Sequence, residues 1–303
     1  MASYDDTVFL GFLMKGALRP ALDYLAQFPE KSAELQRYQR RFEQEQYVAN
    51  DIDADLTQLL LVFQQYYRDV FYLNLPEPVA RQHMQTRFAD RFLMDEEEFG
   101  TFLESRIKKV FEMHGFYYLG GRTSGYFGPY IWKVTTPKLY TVELPEGTQP
   151  YRVNLLSDFL SKGWLDYISL GRVGTGGWAD EDGILHCVAE NYDLTSEAFT
   201  VSLLKHEAQH AMDLSRNANL APIQLEYRAK LVELIYSVAR NLLPTFAEEA
   251  DTSNAANAHG VAAAKIITLF RVKLGNTSVP LDSVPISQIQ RIAQELFYES
   301  SVL

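Results

Sequence analysis

The chain has one cysteine, Cys187, in 303 residues. A lone thiol closes no intrachain disulfide, so the fold must rest on its core. Cys187 itself is expected to be a small buried apolar side chain. Its neighbour His186 does not make it a thiol–imidazole dyad, because adjacent strand residues face opposite ways. Basic residues are scarce as well: 28 Lys and Arg against 39 Asp and Glu leave a formal net charge of −11. A field of that sign repels phosphate backbones and anionic lipids, so no nucleic-acid partner is expected. Long apolar runs are missing. The stretch at residues 8–14 is too short to span a bilayer, and Asp5 and Asp6 stand where an export signal carries basic residues. These absences predict a soluble chain without an integral membrane segment, with the cytoplasm favoured. A phosphate cradle is excluded too: Gly174 and Gly176 are followed by neither a helix-opening third glycine nor a Gly-Lys-Ser/Thr ending.

What remains is a globular composition, 47% hydrophobic, which suffices for a sizeable core. Residues 1–114 read as an N-terminal helical region. Leu35, Tyr38 and Phe42, then Leu56, Leu59, Leu60 and Phe63, recur at helical spacing, and Pro76 and Pro78 break the pattern. A further helix is expected from Asp95 to Gly115, with its acidic residues in the first turn. The aromatic residues here are assigned to helix packing.

From Gly115 to about Tyr192 the chain changes to glycine pairs and short runs rich in Tyr, Val and Ile. Strands are expected at residues 116–119, 130–134, 139–144, 151–155 and 184–189, a helix at 158–168, and a mobile loop at 171–183. A motif helix at about 196–214 follows, then C-terminal helices over 222–303, with a linker at 254–260 and a last helix at 286–299. Helices, strands, helices predict an α+β fold: an N-terminal helical region at 1–114 and a second region at 115–303, as separate regions or as parts of one compact domain.

One short motif carries chemistry. His206-Glu207-Ala208-Gln209-His210 fits H-E-x-x-H, in which a helix projects the i and i+4 histidines toward one metal. Thr195, Ser196 and Glu197 supply a helix start, and no Gly or Pro interrupts residues 199–214. At about 100° per residue, His206, Glu207 and His210 share an arc with Phe199, Leu203, Leu204, Ala211 and Leu214, while Ser202, Lys205 and Gln209 fall on the other side. Burying three ionisable groups on an apolar face costs several kcal/mol unless they pair or bind a metal.

On these residues the chain resembles the zincin metallopeptidases. The resemblance is local, covering roughly residues 195–235. It implies a zincin-like core of a small mixed sheet and the motif helix, with Zn2+ as cofactor, His206 and His210 as ligands and Glu207 as general base toward a zinc-activated water. The implied function is a zinc metallopeptidase acting on a peptide or protein, with endopeptidase and aminopeptidase activity both open. A third ligand is needed. Asp213 and Arg216 stand where the metzincin branch places its glycine and last ligand, which excludes that branch. Asp213, roughly 7.5 Å beyond the histidine midpoint along the axis, is a poor direct ligand and is assigned a supporting role or a surface charge.

The gluzincin branch takes a glutamate from the following helix, and Glu226, just beyond Pro222, matches it, although Lys230 replaces that branch's downstream aspartate. Glu226, Lys230, Glu233, Ser237 and Arg240 form a narrow polar stripe on an otherwise apolar helix. Such a stripe is either a solvated face or the lining of a cleft, and Glu233 is the lesser ligand candidate.

Tyr227, His259 and Tyr192 are candidate oxyanion donors, and the strand at 183–191 is the candidate edge along which a peptide lies. His83, His114 and His186 have no ligand spacing. The rival readings are a non-catalytic or regulatory zinc-binding protein that retains a zincin core, and a helical protein with a chance motif.

Overall fold

The structure, a computed structural model, describes residues 3–47, 52–92, 101–180, 182–253, 257–275 and 279–300. Its elements are mixed α and β, and the chain divides into two compact units: Met1–Val134 with Asp158–Thr175, and Thr135–Ser157 with Gly176–Leu303. The change of composition at Gly115 lies inside the first unit.

The first unit is built from helices α1 (Asp6–Met14), α2 (Leu18–Leu25), α3 (Ser32–Tyr38), α4 (Ala54–Tyr67), α5 (Glu77–Phe92) and α6 (Thr101–Met113). Asp5 and Asp53 cap α1 and α4 by accepting the N–H groups of Thr7 and Asp55, both at 2.8 Å. Single π-helical turns, Gln39–Glu43 and Arg68–Tyr72, extend α3 and α4. The acidic first turn expected at 95–98 lies outside the described residues. The aromatic residues do pack the helices: Phe9, Tyr38, Phe42, Tyr66, Tyr67, Phe71, Phe88, Phe111 and Trp164 are buried in one cluster.

Two short strands, β1 (Tyr117–Leu119) and β2 (Arg122–Thr123), then β3 (Tyr126–Phe127), follow α6. Next come two long strands, β4 (Tyr130–Leu144) and β5 (Gly147–Lys162), that run through both units. Where the sequence predicts two strands, at 130–134 and 139–144, β4 is continuous through Pro137. β1 pairs only with residues 130–132, which leaves one edge of β4 open where a proline's missing N–H is tolerated. The helix expected at 158–168 shortens to α7 (Gly163–Ile168): residues 158–162 stay in β5, and Gly163, at φ +83°, turns the chain out of the strand.

The second unit holds β6 (Gly177–Ala179) and β7 (Leu185–Val188), then α8 (Glu197–Thr200), α9 (Leu204–Arg216), α10 (Pro222–Tyr236), α11 (Leu242–Glu249), α12 (Ala258–Leu274) and α13 (Ile286–Glu299). The five-stranded sheet has the order β1-β4-β5-β7-β6 and is mixed, since β5 and β7 pair parallel while β6 and β7 pair antiparallel. Two expectations change here. The glycine-rich stretch 171–183 contains a strand, β6. And β7 is interior, flanked by β5 and β6, so it is not the sheet's edge.

Leu185 and Cys187 of β7 turn toward the motif helix, in one core with Phe199, Leu203, Leu204, Ala208 and Ala211. Cys187 is fully buried, as expected. The expected last helix is α13. Of the linker at 254–260, residues 254–256 lie outside the described residues, and α12 begins at Ala258. No helix among the described residues is long and apolar enough to cross a membrane.

Candidate metal centre

The motif lies on α9, whose start differs from expectation. Ser196 caps a single turn, α8, through Phe199 N–H at 3.2 Å. The chain then passes through a distorted stretch at Val201–Leu203 before α9 begins, because Val201 and Leu203 leave ideal helical angles (φ −111° and −106°). His206 N–H bridges this joint by reaching five residues back to the Val201 carbonyl, at 3.4 Å. The apolar pattern predicts one continuous helix because no Gly or Pro marks the joint.

α10 starts at Pro222, where the missing N–H is harmless, and buries Tyr227 through Leu234 without a break. The polar stripe is therefore enclosed along α10 itself, while Arg240, expected to continue it, is exposed beyond the helix end at Tyr236. Glu233 is buried, and Lys230 is buried with its ammonium 2.7 Å from Glu249 and over the Phe246 ring.

Where α9 and α10 face one another, three predicted ligands meet. His206 Nε2 and His210 Nε2 are 2.9 Å apart, and each lies 3.5 Å from one oxygen of Glu226. Among the described residues this is the one group of three His, Cys, Asp or Glu side chains whose donor atoms converge closely enough for a metal ion. Tetrahedral coordination at 2.0–2.1 Å would set donor atoms roughly 3.3 Å apart, so the triangle fits an ion of that size.

Burial lowers the proton affinity of His206, but Glu226 and Glu233 outweigh it and raise the ring's pKa to about 10. Burial pushes the Glu226 carboxyl up, yet His206, His210 and His259 hold it well below the usual carboxylate range. The pocket thus favours positive charge next to a carboxylate.

The tautomer sharpens this. His206 Nδ1 lies 2.7 Å from Glu233 Oε1, an acceptor, so Nδ1 keeps a hydrogen and Nε2 is the ring nitrogen that faces the triangle. At these distances from a second imidazole and a carboxylate, Nε2 holds either a proton or a metal ion in the proton's place. Glu226 Oε2 and His210 Nδ1 are buried without an aligned hydrogen-bond partner. A carboxylate with acceptor capacity left unfilled beside two imidazoles suits a metal ligand.

The other predicted site residues divide. Glu207, half-buried, follows His206 on α9. Tyr192 lies within the fields of Glu207 and Glu233. Burial, and then the charges of Cys187, Glu207 and Glu233, push its phenol up to about 12. His259 Nδ1 is 2.9 Å from Glu226 Oε2. Tyr227 is not among these groups: it is buried in the core with the Lys265 ammonium over its ring.

Asp213 is no surface charge. It is fully buried, its Oδ2 accepting from Arg228 Nε at 2.8 Å and its Oδ1 from Gln209 Nε2 at 2.9 Å. Gln209, expected on the outer side of the helix, is buried because the β4–β5 turn covers it, with Glu146 3.4 Å from its amide. Sequence reasoning missed Arg228 and Glu146, which pair at 2.9 Å. A charged residue facing the wide apolar arc of α10 was the only available hint. His186, read as incidental, is paired with Asp180 at 2.9 Å and stacked on Trp178.

Compared with protein-family models, curated proteins and solved structures, the chain matches none. Its function must be argued from the site.

Proposed function

We propose that this chain is a zinc-dependent hydrolase of the gluzincin type, acting on amide bonds of peptides or proteins, with a zincin-like core formed by the mixed sheet, α9 and α10. The observation that carries the reading is the donor triangle His206–His210–Glu226 on facing helices, with Glu207 next to His206 in sequence and its charge acting on that ring.

His206, His210 and Glu226 would hold the ion. Zinc bound there would supply a Lewis acid for a substrate carbonyl and a water acidified to near neutrality. Glu207 takes the proton of the attacking water and returns it to the leaving amine. Tyr192 keeps its proton at neutral pH and is the candidate donor to the developing oxyanion. Glu233 orients His206 and fixes its tautomer. The reading favours an enzyme over a metal-stabilised binding protein because a purely structural site has no use for the Glu207 carboxylate.

Metal analysis of protein purified without added zinc, then reconstituted, tests the first half: one zinc per chain is expected, and none after reconstitution refutes the reading. Glu207→Gln tests the second half. It should keep the metal and lower peptide hydrolysis by at least about 10²-fold, the usual contribution of a general base. Unchanged turnover would refute the assigned role.

A further inference from the structure

The Glu226 carboxylate is approached from both sides. Its Oε2 lies 3.5 Å from His206 Nε2 on the inner side and 2.9 Å from His259 Nδ1 on the outer side. The two imidazoles are near-parallel, 18° apart in plane with centroids 6.4 Å apart. The carboxylate oxygen is therefore sandwiched between a candidate metal ligand and a histidine that is not one of the three converging donors.

The position of His259 is built rather than accidental. It stands in the first turn of α12, where Asn257 caps the helix through Gly260 N–H at 3.1 Å and the Gly260 carbonyl accepts Asp251 N–H at 3.1 Å. Gly260 permits this close approach: a Cβ there would stand 2.6 Å from the Asn257 side chain and 3.1 Å from the Asp251 backbone oxygen. These contacts fix the helix start, and with it the point from which the imidazole reaches Glu226.

The geometry points to His259 as a positioning residue for the metal site, holding the outer oxygen of Glu226 so that the carboxylate presents one oxygen to the ion. This rests on the zinc-site reading above. Its logic parallels the Glu233–His206 pair: each of two ligands is steadied by a partner from elsewhere in the fold, a carboxylate behind the imidazole and an imidazole behind the carboxylate. Nδ1 is in ion-pair range of Oε2 without the alignment of a hydrogen bond, and the imidazole χ2 is a soft torsion. A carboxylate held at one oxygen is kept from binding through both, which preserves an open coordination position for water.

His259 is 57% exposed, so its replacement leaves the core untouched. The test is zinc affinity of the full chain, measured by competition with a chromophoric chelator, together with the visible spectrum of the cobalt(II)-loaded protein. His259→Ala should weaken zinc binding 10–100-fold. His259→Asn, whose amide nitrogen takes the place of Nδ1, should restore most of that loss. The cobalt band pattern should change in His259→Ala, where both oxygens of Glu226 are free to bind, and return to that of the wild type in His259→Asn. Wild-type affinity in His259→Ala, no recovery in His259→Asn, or a wild-type cobalt pattern in His259→Ala would each overturn the assignment. A wild-type chain that takes up neither metal would instead overturn the zinc-site reading beneath it.

Discussion

His206 and Glu233 form a buried pair across α9 and α10, Nδ1 to Oε1 at 2.7 Å, which leaves Nε2 as the ring nitrogen facing His210 and Glu226. The two residues are 27 apart in sequence, so the pair depends on how the helices dock rather than on either helix alone.

The first expectation concerns that pair. Glu233→Ala removes the acceptor that sets the tautomer and should weaken zinc binding 10–100-fold. Glu233→Gln keeps an acceptor for Nδ1–H and should lose less. Chelator competition on both variants checks the order, and equal affinities for wild type and Glu233→Ala would contradict it.

Arg228 is 2% exposed and paired with Asp213, which has no exposure, as well as with Glu146. Arg228→Met leaves the buried Asp213 carboxylate without its counter-charge and should lower unfolding stability by about 3–5 kcal/mol. Urea denaturation measures it. A loss below about 1 kcal/mol would mean that solvent reaches Asp213 in the folded chain.

Burial raises the Cys187 thiol from 9.0 to about 12. At pH 8 that shift leaves about 10³-fold less thiolate than in the unfolded chain, so alkylation of the native protein should be slower by at least that factor. The linkage has a sign: a thiol that holds its proton more tightly when folded adds stability below pH 9, and this contribution is lost as the pH rises toward 12. Iodoacetamide labelling with and without denaturant gives the ratio, and rapid native labelling would contradict the placement of β7.

A Cβ on Gly177 would lie 2.2 Å from the His186 carbonyl oxygen and 2.9 Å from a Leu203 methyl. The first neighbour is backbone and cannot step aside. Gly177→Ala should therefore push β6 off β7 and destabilise the chain by about 1–3 kcal/mol, visible as a lower Tm. An unchanged Tm would show that this strand pair does not have the described register.

Some of this was legible in the sequence because it is local. The i, i+4 histidines need only a helix, and Glu226 needs only Pro222 to start the next one. Glu233 was visible as part of a polar stripe, but whether that stripe faced solvent or neighbouring side chains depended on α9 and α11 packing against it. The Asp213–Arg228–Glu146 network was hidden because one partner comes from a hairpin turn more than 60 residues away.

The strand reading failed where periodicity has too little chain to work on. β6 is three residues long inside a glycine-rich stretch, and missing it turned the interior strand β7 into an apparent edge. The gap read between 130–134 and 139–144 is strand in β4, where Pro137 lies beyond the residues that β1 pairs with.

The α8–α9 segment is tied on both sides of the histidines to α10 and the residues just after it. On one side the Glu197 carboxylate takes the Ser237 hydroxyl and the N–H groups of Val238 and Ala239, the latter two at 3.0 and 3.2 Å; on the other, Asp213 takes Arg228. Neither can slide along the other without breaking one tie. On the zinc-site proposal, the donor triangle would be a mould set before the ion enters, unlike a zinc finger, whose chain takes shape only around its metal. Exchange of ions in such a mould is governed by access and by the dehydration of the incoming ion. Stripping the metal should leave a standing scaffold that can be refilled with another divalent ion of similar radius.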